Sequence, residues 1–190
     1  MGSAEEPWSA LVDYATHSRI AHGIDARVLK GESRSHTPGS LIFQYVLRVD
    51  MARVRVPKAE TPERADGLWK HTCFEAFISA SGLAGYYELN FSPSGQWAIY
   101  SFDGYRAGMS PVEVTAPPRL AVRAYDNRLE LEAEVPLCDL GLARRRQGLK
   151  LALAAVVEED SGTLSYWALK HAPDKPDFHH SDGFVLELTL

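Results

Sequence analysis

LWKHTCFEAFISASGLAGYYELNFSPSGQWAIYSFDGYR, residues 68–106, holds three apolar runs separated by two turn-forming interruptions. Within the first run, Cys73, Glu75 and Phe77 alternate with Phe74, Ala76 and Ile78, the period-two pattern of a strand. Residues 86–91, YYELNF, return antiparallel, and the two glycines in residues 79–85 suit a hairpin loop. Ser92-Pro93-Ser94-Gly95 reads as a tight turn, since proline presets φ and glycine accepts a left-handed conformation. It feeds a third strand over residues 96–102, which stops at Asp103-Gly104 and leaves Tyr105 and Arg106 in a loop.

Placing Phe77 opposite Tyr86 sets Glu75 opposite Glu88 and Cys73 opposite Asn90, all on one face. Two carboxylates directly across a strand pair lie roughly 5 Å apart and repel, so a cation, a shared proton or water has to relieve them. Within the chain Lys70, His71, Arg106 and the arginines at 53 and 55 are available; from outside, a metal ion or ligand hydroxyls would serve. The plainer alternative is an outer face on which both glutamates point into water. Trp97 or Tyr100 joins this face, one residue of register deciding which.

Outward from this block, residues 41–49 are apolar at every odd position, the clearest strand elsewhere. Residues 24–29 read as an earlier strand, 31–40 as a loop, and 8–17 as a short helix or an irregular arm within residues 1–20. Val54 begins a short strand that Pro57 ends, because proline donates no ladder hydrogen bond. Residues 58–67 form a charged loop just before Trp69, where Arg64 and Asp66 are placed to reach a ligand or to be solvated. Hairpins follow at 120–125/129–135 about Asp126-Asn127, and at 149–158/163–169 about Asp160-Ser161-Gly162. One short helix fits 136–145, and 183–190 is a last strand. About nine or ten strands with one or two short helices predict an all-β chain, an antiparallel β-sandwich of jelly-roll or immunoglobulin-like form. Residues 1–190 are expected to make a single domain.

The composition, 45% hydrophobic and 24% charged, is that of a globular chain. A net charge of −5 argues against nucleic acid or an anionic membrane as a partner; the one basic run, Arg144-Arg145-Arg146, suits a solvated turn. Oligomeric state is not legible. Cys73 and Cys138 match neither a disulfide framework nor a CxxC metal spacing. No basic-then-apolar leader opens the chain and no apolar run reaches spanning length, so the sequence as it stands suggests a cytoplasmic location, a removed signal peptide apart. Three of the seven histidines fall in residues 171–180, among aspartates and prolines. His171 and either His179 or His180, with Asp177, would suit a divalent metal, but without ligand-like spacing the competing reading is a proline-stiffened loop beside Trp69.

The run LW, TCFEAF, YYELNFSPSGQWAIYSF and YR resembles the DOMON-like domains grouped with family 9 carbohydrate-binding modules. The resemblance extends more weakly over residues 40–190, through VPLCDLG and the C-terminal strands. It implies a β-sandwich, a sugar or related polar ligand, and Trp69 as one wall of its site. It requires no cofactor and raises a structural calcium ion; some DOMON domains bind haem through Met and His, for which Met51 or Met109 with His171 are the available residues. Trp and Tyr beside Glu, Asn, Arg and Lys match the apolar faces and hydroxyl rim of a sugar. The expected ligand residues are Trp69, Lys70, His71, Glu75, Glu88, Asn90, Trp97, Tyr100, Tyr105, Arg106, His171, Asp177 and His179. The enzymatic alternative is a glycosidase using Glu75 and Glu88, against which two parallel side chains on one sheet face do not straddle a bond.

Overall fold

The computed structural model describes residues 7–14, 18, 20–31, 39–58, 60–80, 84–142 and 148–190. Twelve strands run through these residues: β1 Ser9–Asp13, β2 Ala21–Lys30, β3 Ser40–Val49, β4 Cys73–Ala80, β5 Tyr86–Phe91 and β6 Trp97–Phe102. They continue as β7 Ser110–Pro111, β8 Arg119–Tyr125, β9 Arg128–Pro136, β10 Gly148–Glu158, β11 Leu164–Ala168 and β12 Leu186–Thr189. The helical content among the described residues is three single 3-10 turns, Met51–Arg53, Leu68–Lys70 and Ser181–Gly183. The all-β antiparallel reading therefore holds, with the expected short helices reduced to these turns.

The strands form one curled sheet in the order β7-β6-β5-β4-β10-β11-β1-β2-β3-β9-β8, with β12 added to β10. The curl brings two halves face to face. A front half runs from β7 to β11 and a back half from β2 to β8, with β1 as the seam: it pairs Val12 and Asp13 with β11, and Ser9, Ala10 and Leu11 with β2. The helix expected at residues 8–17 is thus corrected to a strand, because open edges on β2 and β11 offer its backbone two sets of partners and outweigh a weak helical periodicity. Val54 makes only an isolated bridge to Glu159, and residues 137–142 carry no helix. Residues 32–38, 81–83 and 143–147, which include most of the predicted loop 31–40, the middle of the hairpin loop 79–85 and the arginine run, lie outside the described residues.

Alternation builds the core between the halves. Leu41, Phe43, Tyr45, Leu47 and Val49 of β3 all point inward and are buried. Facing them are Phe74, Ala76 and Ile78 of β4, Leu89 and Phe91 of β5, Trp97 and Ile99 of β6, and Leu149, Leu151 and Leu153 of β10. Phe43 meets Phe91 at 5.7 Å between centroids, and Tyr45 meets Phe74 at 5.0 Å. Each such ring contributes roughly 1.5–3 kcal/mol by leaving water.

The front half is also covered on its other side. Cys73, Phe77, Tyr86, Ala98, Tyr100, Phe102, Ala152, Ala154 and Ala168 form a second apolar cluster on the outer face, under the Leu68–Lys70 turn and the loop carrying Phe178. That is why β4 and β10 read as nearly continuous apolar runs: both of their faces are buried. Phe74→Ala is expected to cost about 3–5 kcal/mol, seen in urea unfolding as a lower midpoint with an unchanged slope.

Candidate ligand-binding site

The β4/β5 register differs from expectation by two residues. Glu75 stands opposite Asn90, Phe77 opposite Glu88 and Ser79 opposite Tyr86. The hairpin is two residues tighter on the β4 side than the sequence suggested, but a slip of two preserves side-chain parity. Glu75, Glu88 and Asn90 therefore still share the outer face, with the two glutamates as diagonal rather than direct neighbours. On β6, Tyr100 pairs with Glu88 and joins this face, whereas Trp97 pairs with Phe91 and packs into the core. Register thus decides for Tyr100, and Trp97 is corrected to a core residue.

The outer face forms the floor of a cavity of about 470 Å³, within the range of small-molecule sites. Glu75 and Glu88 lie on the floor, Val156, Leu164 and Tyr166 on one flank, and Trp69, Lys70, Arg106, Met109, Phe178 and His179 around the walls. Small residues flank the polar positions on the sheet: Ala154 stands beside Glu75 on β10, and Ala98 beside Asn90 on β6. The Ser92–Gly95 turn holds β5 and β6 together, with Gly95 N–H donating to the Ser92 carbonyl and φ of 95° at Gly95.

Both acids are buried. Asn90 Nδ2 donates to Glu88 Oε1 at 2.8 Å, and His179 Nε2 lies 3.6 Å from Glu88 Oε2. Glu75 is 4% exposed, and its Oε1 has no hydrogen-bond partner among the described residues. Burial pushes the Glu75 carboxyl well above the ordinary glutamate range; Glu88 adds to the shift and Arg106 opposes it. Burial raises Glu88 too, against the Asn90 hydrogen bond and Arg106. His179 goes the other way, down to about 4, because burial and then Arg106 disfavour its charged form against Asp177.

A polar brace holds one wall. Asp177, itself buried, accepts from Tyr105 Oη at 2.5 Å, from an Arg106 guanidinium nitrogen at 2.8 Å and from His179 N–H at 3.1 Å. Burial works against the Asp177 carboxylate, but these donors bring its pKa below the usual value. Arg106 has φ of 52°, the one positive φ at a non-glycine position among the described residues. Its backbone N–H donates to Tyr86 Oη at 3.2 Å, so hydrogen bonds at both ends hold the strained loop in place.

The remaining expected residues divide between the cavity and other tasks. Trp69 meets Tyr100 edge-on at 5.8 Å, while the Tyr100 hydroxyl donates to Asp66, which also pairs with Arg64 at 2.7 Å. Arg64 and Asp66 are thus bonded to each other beside the site. His71 is turned away to Glu158 at 2.8 Å. His171 is not among the cavity-lining residues either, its Nε2 lying 2.7 Å from the Val12 carbonyl. Lys70 lines the mouth and is exposed.

Among the described residues no group of three or more His, Cys, Asp or Glu side chains converges as metal ligands. The donor set thus fits neither the histidine-rich metal site nor a carboxylate-built calcium site. Met51 packs against the core while His171 bonds the Val12 carbonyl, which does not fit the Met/His haem pairing. Tyr166 and Phe178 are cavity residues that sequence reasoning missed, and Met109, named there only as a haem candidate, lines the cavity as well; the period-two run Leu164, Tyr166, Ala168 is the signal that would have found Tyr166.

No protein-family model matches the sequence, and no curated protein matches it. Solved structures do share the fold. A candidate carbohydrate-binding protein from Bacteroides uniformis aligns over 94% of this chain and 84% of its own, with a TM-score of 0.69 at 15% identity. A family 9 carbohydrate-binding module from Caldicellulosiruptor kristjanssonii, solved with cellotriose, aligns over 87% and 73%, with a TM-score of 0.51 at 8% identity. The chain is a β-sandwich whose fold is like that of family 9 carbohydrate-binding modules.

The raised carboxyl of Glu75 sets a pH dependence. A folded-state value above the unfolded one contributes stability that is present below the ordinary 4.5 and is lost as pH climbs from there. Glu75→Gln, neutral and nearly isosteric, is expected to gain stability relative to the native chain as pH rises from 4.5, with no gain below it. Urea midpoints of the two proteins across a pH series measure this difference, in which contributions common to both cancel.

Proposed function

We propose that this chain is a non-catalytic carbohydrate-binding module of DOMON-like type that takes its ligand in the outer-face cavity. The observation that carries the reading is Glu75, a buried carboxylate whose Oε1 lacks a partner, on the floor of a cavity walled by Trp69 and Phe178. A buried acceptor left unbonded costs about 1–3 kcal/mol, which a ligand hydroxyl or amine recovers on binding. Asn90 and Glu88 add oriented polar groups, and the aromatic walls suit the apolar face of a pyranose ring. The fold it shares with carbohydrate-binding proteins from two bacteria supports the same reading.

The placement of the acids supports binding rather than hydrolysis. Glycosidases set two carboxyls on either side of the scissile bond. Here Glu75 and Glu88 rise side by side from adjacent strands of one sheet face. A single unit acting on small polar ligands is also consistent with a net charge of −5, which disfavours nucleic acid and anionic membranes as partners.

A glycan array followed by calorimetric titration tests the proposal. At least one saccharide is expected to bind, and Trp69→Ala to weaken it by about tenfold or more, the loss of one aromatic wall. Absence of binding to every saccharide, or a Trp69→Ala protein that binds as well as the native one, rejects it.

A further inference from the structure

The cavity floor holds two buried carboxyls, Glu75 and Glu88, that make no ion pair with a lysine or arginine among the described residues. Around His179, Arg106 N–H donates to Tyr86 Oη, and that hydroxyl is hydrogen-bonded to His179 Nδ1 at 2.8 Å. His179 Nε2 faces Glu88 at 3.6 Å, beyond hydrogen-bond length. Glu88 therefore receives one neutral donor, Asn90, and no lysine or arginine. Arg106 is committed to Asp177, and Lys70 stands exposed at the mouth. Among the described residues no lysine or arginine lies within ion-pair distance of Glu75 or Glu88.

A sugar hydroxyl donates one hydrogen bond to such a pair and brings no counter-charge. A protonated primary amine supplies three donors and a full positive charge. Glu75 and Glu88 both line the cavity, so a ligand seated there reaches the two acids. We propose that the ligand is a sugar bearing a free amine, a hexosamine unit, with its ammonium seated between Glu75 and Glu88 and its ring against Trp69. The inference rests on the carbohydrate reading and narrows it. N-acetylation removes the charge and enlarges the group, so acetylated sugars are excluded from the same seat.

The test is calorimetry on the full chain with glucosamine, galactosamine and mannosamine, each beside its neutral hexose and its N-acetyl form, at a pH below the amine's own pKa. One amine is expected to bind about tenfold or more tighter than both counterparts, with the advantage lost as pH passes the amine pKa. Glu75→Gln is expected to lower amine affinity more than hexose affinity, moving their ratio toward one. Should that variant not fold, the comparison on the native chain decides alone. A neutral hexose that binds as tightly as its amine overturns the inference and leaves the carbohydrate reading intact; a chain that binds none of these sugars and nothing on the glycan array overturns both.

Discussion

The packing of Phe74 and Phe91 against Tyr45 and Phe43 determines where every other side chain of the front strands points. With those rings turned inward, parity sends Cys73, Glu75 and Phe77, and Tyr86, Glu88 and Asn90, to the opposite side. The acidic floor is therefore a by-product of core formation. Tyr45 reinforces the link, since its hydroxyl donates to the Glu75 carbonyl at 2.8 Å and so ties the back half directly to the strand that carries the site.

This coupling explains what was legible in the sequence. Alternation along residues 41–49, 73–80 and 129–135 gave the strands and their inward residues, because a half-buried strand must repeat at two. The co-facial placement of Glu75, Glu88 and Asn90 followed from parity and survived an error of two in register. The identity of direct partners did not, since it depends on hairpin length, which two glycines leave loose. Trp97 and Tyr100 looked equivalent in sequence; only the pairing of Phe91 with Trp97 separates them.

What the sequence withheld is mostly long-range. Nothing local announces that β1 closes the two halves together, because its partners lie on β2 and, near the far end of the chain, on β11, where Val12 pairs with Ala168. Asp177, Tyr105 and Arg106 could be named as site residues from their types. That they brace one another, leaving Glu75 without a cation, is a consequence of packing 71 residues of chain separation into one contact. His71 and His171 were eligible by type and proximity, yet a buried Glu158 and an open Val12 carbonyl claim them first.

The C-terminal wall has a particular mechanical character. The segment bearing Phe178 and His179 leaves β11 and re-enters the sheet through β12, and both strands are hydrogen-bonded to the same strand, β10. It is an arch with both footings on one beam. Such an arch resists being swung aside as a hinged flap would be, so the shape it presents to an incoming molecule is largely set before arrival, and selection falls to fit instead of closure.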